Sequence, residues 1–423
     1  MKRTAVPEYE TEFPLMRIAR SRRVALAAAA LLLASACSST VSNSTTPGSG
    51  GFVPPSIPAM ANTTQSALLT GGKAEGEVNL VAWAGYVEDG SDGSPDWVTP
   101  FEQQTGCKVN VTVAGTSDQM VELMKTGKYD SVSASGDATL RLIAGGDVAP
   151  VNTSLVPNYA NIYSDLKLQP WNSVNGVPYG IPHGRGANLL MYNTKQVTPA
   201  PTSWGAVFAQ NSPYAGKITD YDDPIYIADG ALYLMKSQPS LGIKNPYELT
   251  QTQFNAVVAL LKSQHSEVGN YWSDYTVEQS DFDAGTDLLG TTWEVITQGV
   301  QADNKVNVSA IVPKEGSTGW SDTWMISAKA AHPDCAYEWM NWIVSPKVNA
   351  QVAVYFGEAP SNPQACQYAD AASPGFCEAY HANDPTFWKN VYYWSTPTTD
   401  CGDGQNDCVP YADWVTAWNQ IKS

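Results

Sequence analysis

The residues in this 423-residue chain with chemistry to offer are seven cysteines, four histidines, 14 tryptophans and a surplus of carboxylates. Leaving Cys37 aside, six cysteines remain: Cys107, Cys335, Cys366, Cys377, Cys401 and Cys408. Thiols in such numbers either bind zinc or pair. No C-x-x-C occurs and the four histidines are scattered, whereas a structural zinc site needs four convergent sulfur or nitrogen ligands. An even count suits three disulfides formed in an oxidising compartment. Six cysteines allow fifteen pairings; proximity favours Cys366–Cys377 and Cys401–Cys408, which leaves Cys107–Cys335 as a long-range staple. Nucleophilic and metal-assisted hydrolysis leave recognisable motifs, and the chain has no G-x-S-x-G, no H-E-x-x-H and no P-loop. No catalytic residue, metal or cofactor is therefore expected. A glycosidase-like pair of carboxylates stays open, because acids are plentiful. The Asp-Gly-Ser-Asp-Gly-Ser stretch at 89–94 lacks the spaced ligands and closing Glu of a calcium loop and reads as a solvated turn, as does Asp400–Asp407.

Charge and the N-terminus place the chain. Acids outnumber bases 41 to 24, a formal charge of −17. That balance disfavours nucleic acid, which needs a basic footprint, and is compatible with a cationic ligand. Arg17, Arg20, Arg22 and Arg23 precede an apolar run from Val24 to Leu33 that ends in Ala34-Ser35-Ala36-Cys37. A basic region, a short apolar region and small residues make a signal peptide over 1–37, too short for a permanent membrane span. Cys37 after small residues resembles a bacterial lipobox, with Ala34 where Leu is usual, so Cys37 is the expected lipidation site. Residues before Met16 fit poorly ahead of a signal peptide, which makes Met16 an alternative start; Ser21-Arg22-Arg23 is a weak twin-arginine hint. Removing 1–37 takes away six bases and three acids and leaves 38 acids against 18 bases, a charge of −20. Residues 38–77, rich in Ser, Thr, Gly and Pro, read as a flexible tether.

The elements that must position any site begin near Val78. Val78–Ala82, Lys108–Ala114 and Tyr129–Ser133 have strand patterns. Between them a helix is expected from Pro95 to Gln104, capped by Ser94 and stopped by Gly106, then helices over Asp118–Lys125 and Ala138–Ala144. Strands separated by single helices make a doubly wound sheet, which binds ligands beyond its strands' carboxyl ends. The second half is also mixed: a strand over Gly186–Tyr192, another ending at Thr219–Asp223, helices near 229–238 and 251–264, and an amphipathic stripe over Asp334–Val344 broken by Pro346.

The order of short signals is familiar. Trp83-Ala-Gly-Tyr86, Gly106-Cys-Lys-Val, Tyr129-Asp130, Val177-Pro-Tyr-Gly-Ile-Pro, Met191-Tyr-Asn, Thr202-Ser-Trp204, Gly216-Lys-Ile-Thr, Val312-Pro-Lys-Glu-Gly316 and Trp320-Ser-Asp322 follow one another. Together they resemble the spermidine/putrescine-binding proteins of bacterial ABC importers, over roughly residues 78–423. The resemblance implies an α/β, two-lobed periplasmic-binding-protein fold of type II kind, each lobe a mixed sheet flanked by helices. It places 78–183 with 320–358 in lobe one, and 184–319 with 359–423 in lobe two. It implies an amine held between aromatic faces and carboxylates: Trp83 and Tyr86 after the first strand, Asp223 at the cleft mouth, Trp293 as a stacking face, and Trp320 with Asp322 around an ammonium. The chain departs from the family pattern at three positions. Tyr226 stands where a second acid is usual, Asp137 lies near an expected aromatic, and Glu358 falls at a later cleft tyrosine; Ser395 beside Trp394 aligns loosely with a closing polar residue. The chemistry suits a polyamine: a desolvated ammonium over a Trp face gains about 0.5–2 kcal/mol, and a charge-assisted hydrogen bond to a carboxylate about 1.5–3 kcal/mol.

The implied function is an extracytoplasmic lipoprotein delivering a small cationic ligand to an ABC permease and its ATPase subunits, as a monomer anchored to the membrane by lipid only. A cationic amino acid, an opine or another small solute is the alternative ligand; a secreted hydrolase is the rival class. A structural surface protein is disfavoured, because adhesins are mostly repetitive or all-β. Arg185, in the His183-Gly184-Arg185 segment where the chain crosses between lobes, is diagnostic. In the cleft it would call for a ligand carboxylate; paired to an acid it is structural.

Overall fold

The computed structural model describes residues 74–402 and 406–423. The expected signal peptide, Cys37 and most of the tether lie outside the described residues. The fold already engages Glu75, three residues before Val78. Its carboxylate accepts the backbone N–H groups of Asp334 and Cys335, both at 3.0 Å, which satisfies free donors at the start of helix Pro333–Ile343.

Two sheets organise the described residues as a two-lobed α/β fold. The first has the order Lys108–Val113, Glu77–Ala82, Ser131–Ala134, Thr323–Ser327 and Val148–Ala149, with Ile181–Pro182 also paired to Thr323–Ser327. Its first three strands are parallel, and Thr323–Ser327 runs antiparallel to Ser131–Ala134. The second has the order Val268–Trp272, Ile218–Tyr221, Leu289–Thr292, Leu189–Asn193 and Val308–Ile311, again parallel on one side and antiparallel on the other. Both sheets are covered on two faces, so successive strand residues enter different cores. Leu80 and Trp324 pack with Trp97, Phe101 and Trp339, while Val81 and Met325 pack with Met120, Met124 and Leu142. Leu190 joins Ala231, Val257 and Leu261, while its neighbour Met191 joins Phe282, Ile296 and Val300. Complete burial of each such side chain contributes about 1.5–3 kcal/mol.

Between the sheets the chain crosses repeatedly. Gly184–Ala187 leads from the first sheet to the second and Ser317–Trp320 leads back, paired antiparallel at Gly319–Ala187 and Trp320–Gly186. Ala359–Pro360 and Val391–Tyr393 flank them to complete a four-stranded sheet. Two element expectations need correction. Gly186–Tyr192 is not one strand, because Asn188 breaks it where the chain changes sheets, donating to Thr318 Oγ1 at 2.6 Å and accepting from Trp293 Nε1 at 2.9 Å. The first helix spans Val98–Thr105, because Ser94 and Asp96 are held in a turn and the Asp96 carboxylate accepts Thr99 N–H at 2.9 Å.

Three disulfides form: Cys107–Cys335, Cys366–Cys377 and Cys401–Cys408, the set favoured by proximity in the sequence. Cys107 and Cys335 are fully buried, their Cα atoms 5.7 Å apart across 228 residues of sequence. This bridge ties strand Lys108–Val113 to helix Pro333–Ile343. Replacing both cysteines with Ser is expected to cost about 2–5 kcal/mol of stability, read as a lower denaturation midpoint in urea. An unchanged midpoint would show that the hydrophobic core holds these elements without the bridge.

Candidate functional site

Asp322 sits at the turn from the crossing strand Ser317–Trp320 into Thr323–Ser327. Extended residues alternate in direction, so Trp320 and Asp322 face one way and Ser321 the other, where its hydroxyl donates to Gly184 O at 3.0 Å. Facing Asp322 is Tyr86, which follows the first strand, and Glu358, which follows helix Pro346–Phe356. All three are buried. The Tyr86 hydroxyl lies 2.7 Å from Asp322 Oδ2 and 3.1 Å from Glu358 Oε2, and Ser135 Oγ donates to Asp322 Oδ1 at 2.5 Å. One phenolic hydrogen cannot satisfy two carboxylates. Burial pushes the Asp322 carboxyl up to about 6, opposed by His183, Ser135 and Tyr86. Burial, and then the charges of Asp322 and Glu358, hold the Tyr86 phenol well above its ordinary range.

The crossing strand makes room for these groups. A Cβ on Gly184 would overlap the Glu358 carboxyl, and one on Gly186 would overlap the Trp320 indole. Between them, Arg185 points the opposite way. Its guanidinium pairs with Asp165 at 2.8 Å and lies over the Trp388 and Tyr163 rings, 4.2 and 4.9 Å from their centroids.

Aromatic rings run from one sheet to the other. Tyr86 contacts Phe356 (centroids 4.2 Å apart), Phe356 meets Trp320 at 5.8 Å, Trp320 meets Trp293 at 6.4 Å, Trp293 meets Tyr221 at 5.3 Å, and Tyr221 stacks on Trp394 at 5.9 Å. Trp83 is half-buried beside the first core. The indole N–H groups of Trp83, Trp320 and Trp394 are buried without a hydrogen-bond partner among protein atoms.

Asp137 and Asp223 form a second acidic locus. Asp137 lies in the first turn of helix Gly136–Gly145 and is buried, with Oδ1 unpartnered; burial raises its carboxyl, against Ser117 and Arg141. Asp223 is half-buried and accepts Ile225 N–H at 2.9 Å. Burial, then the charge of Asp137, pushes Asp223 up to about 8. The Tyr221 phenol is raised by burial and by the charges of Asp223, Asp137 and Asp322, so this ring feels both loci. Thr396 Oγ1 donates to Asp137 O at 2.7 Å and ties the segment after Trp394 to the same helix start.

Of the residues singled out in the sequence, Tyr86, Asp322 and Glu358 meet directly. Trp320 and Trp293 join them through the ring series, and Asp137 and Asp223 form the second locus. Tyr226 does not belong to the site. It ends the 3₁₀ turn Pro224–Tyr226, faces the second lobe's core against Phe208 and Trp418, and donates its hydroxyl to Asp220 Oδ1 at 2.6 Å. Sequence reasoning missed Ser135, Tyr221 and Phe356, and took His183 only as a marker of the crossing. None of these lies in a motif with a chemical signature, and only the pairing of strands from distant segments brings them together.

Two lobes joined by crossing strands, with acids and aromatic rings gathered between them, define a binding protein that encloses a small solute. Residues 96–377 match the family of bacterial extracellular solute-binding proteins, and the chain belongs to that family. It is 25% identical over 288 residues to the putrescine-binding periplasmic protein SpuD of Pseudomonas aeruginosa, covering 65% of this chain and 75% of that one. It is 26% identical over 329 residues to the spermidine/putrescine-binding periplasmic protein of Escherichia coli K12, covering 77% and 85%. The crystal structure of the spermidine/putrescine ABC transporter substrate-binding protein PotD from Streptococcus pneumoniae superposes with a TM-score of 0.63 at 19% identity, covering 82% of this chain and 99% of that one; this likeness concerns the fold.

Buried acids give the protein a signed pH dependence. Burial pushes Asp220 up to about 7, Asp229 to about 8 and Asp322 to about 6. In the unfolded chain such carboxyls ionise near 4. Between the two values the folded state binds more protons, so this contribution to stability is full below about pH 4 and is lost as pH rises through 6 to 8. Each fully buried acid shifted by even one unit contributes about 1.4 kcal/mol. The urea midpoint is expected to be lower at pH 8 than at pH 5.5; a midpoint that rises over this interval would show these acids ionised in the folded protein.

Proposed function

We propose that this protein captures a polyamine of the putrescine or spermidine class outside the cytoplasm and delivers it to an ABC permease and its ATPase subunits. The observation that carries the reading is the pairing of two acidic loci, Asp322 with Glu358 and Asp137 with Asp223, along one series of aromatic rings. A flexible diamine needs that combination, because its methylenes want apolar walls and its nitrogens want anionic acceptors. Trp83, Tyr86, Trp293, Trp320 and Asp322 are assigned to the ligand, with Asp137, Asp223 and Glu358 supplying further charge. The pairing of Arg185 with Asp165 supports an amine over an amino acid or opine, whose carboxylate would want that guanidinium. A hydrolytic role for Asp322 and Glu358 is disfavoured, since the Tyr86 phenol fills the space between them. Sequence similarity to the putrescine- and spermidine-binding relatives supports the same ligand class.

The proposal includes the mature architecture. Cys37 carries the lipid, 38–77 is the tether, and the protein acts as a monomer. Lobe one comprises 78–183 with 320–358 and lobe two 184–319 with 359–423. The lobes part at the crossing strands to admit the ligand, because Tyr86, Trp320, Asp322 and Glu358 are buried and only the approach of the lobes encloses it.

Calorimetric titration of ligand-stripped protein with putrescine, spermidine, arginine and a neutral sugar tests the ligand class. Putrescine or spermidine should bind in the submicromolar range. Asp322→Asn keeps the shape and removes the charge, at a cost of about 2–5 kcal/mol, or roughly thirtyfold to several-thousandfold in Kd. Tight sugar binding without an amine response would refute the cationic ligand; amine binding that Asp322→Asn leaves untouched would remove Asp322 from the site.

A further inference from the structure

His183 is fully buried at the junction of Ile181–Pro182 and the crossing strand Gly184–Ala187. Its backbone is fixed from three sides: N–H donates to Asp322 O at 3.0 Å, and its carbonyl accepts Ser361 N–H at 3.2 Å and Asn349 Nδ2 at 2.6 Å. These bonds fix the backbone from which the imidazole projects. Nδ1 lies 3.3 Å from Glu358 Oε1, Nε2 lies 3.1 Å from Ser133 Oγ, and the ring stands edge-on to Tyr86 with centroids 4.3 Å apart. Trp324 closes the remaining side at 6.0 Å. The charged or titratable groups facing the ring are thus Glu358, Asp322 and Tyr86; Ser133 and Trp324 are neutral.

Two buried carboxylates sharing one phenolic hydrogen require positive charge or a proton. We propose that His183 is a positioning residue that supplies that charge to the Asp322–Glu358 pair, so that this end of the site carries one net negative charge and accepts a single ligand ammonium. The inference rests on the polyamine reading of the site and adds to it what sets the charge at one end. A protonated imidazole against two carboxylates leaves one unit of negative charge, which one ammonium neutralises. Without the imidazolium, the two carboxylates repel and one of them holds a proton that the amine must displace. The position at the crossing strands adds a mechanical consequence: the residue that balances the ligand's charge is the one whose backbone joins the strands between which the lobes move.

Putrescine affinity measured by calorimetry from pH 5.5 to 8.5 tests this, using wild type, His183→Gln and Glu358→Gln, each with its melting curve recorded. Wild-type affinity should rise with pH to a plateau as Asp322 ionises. In His183→Gln the loss of the counter-charge should move the half-plateau pH upward by about one unit, which means about tenfold weaker binding at pH 6 and near wild-type binding at pH 8.5. In Glu358→Gln the like charge disappears, so the half-plateau pH should move down even though overall affinity falls. A His183→Gln profile parallel to wild type, or a uniform loss at every pH, overturns the proposal. So does an upward shift in Glu358→Gln. If wild type binds no amine at any pH, the polyamine reading itself fails, which is a different outcome from a parallel profile.

Discussion

Carboxylates held out of water between the two lobes impose the main constraint on this structure. Asp322 and Glu358 compete for the one Tyr86 hydroxyl hydrogen, and a buried, unpaired carboxylate costs several kcal/mol. The surroundings meet that cost in part. Ser135 donates to Asp322, and His183 stands at ion-pair distance from Glu358. The architecture then follows from the need to bring these groups together. Asp322 comes from a strand that enters the first sheet, Glu358 from the end of a helix packed on that lobe, and His183 from the strand leaving it. Glycines at 184 and 186 let the crossing strand approach Glu358 and Trp320 closely. The result is a site whose charge is incompletely balanced by the protein and whose walls are aromatic, a combination suited to a cation with an apolar body.

Much of this was legible in the sequence, for identifiable reasons. The family resemblance paired Trp320 with Asp322 before any coordinates, and the alternation of an extended segment accounts for it. Strands separated by single helices, from Val78–Ala82 to Tyr129–Ser133, announced a doubly wound sheet. The spacing of Cys366 with Cys377 and Cys401 with Cys408 left only one remaining pair. What failed was local geometry that tertiary contacts decide. Tyr226 follows Asp223 by three residues, yet the 3₁₀ turn leaves the Asp223 carboxylate accepting Ile225 N–H and sends Tyr226 into a core, where Asp220 takes its hydroxyl. The Gly186–Tyr192 run reads as a continuous strand, but the change of sheet at Asn188 is fixed by Thr318 and Trp293, more than a hundred residues away. A single buried histidine carries no periodic signal at all.

The distribution of acids also separates this chain from what its family resemblance implies. The acid expected three residues after Asp223 is a core tyrosine, while Asp137 and Glu358 bring carboxylates to positions where aromatic residues were expected. Charge is thereby moved from one locus to both. Asp137 raises the proton affinity of Asp223, and Glu358 does the same for Asp322. Asp223, pushed up to about 8, holds its proton near neutral pH, so a cation entering beside it is expected to displace that proton as it binds.

That coupling is measured directly by titrating the ligand-stripped protein with putrescine at pH 6.5 in buffers that differ in ionisation enthalpy. A buffer-dependent heat corresponding to net release of protons on binding is the result this account predicts. Binding with no exchange of protons, or with proton uptake, would contradict it, because Asp223 would then already be ionised before any amine arrives.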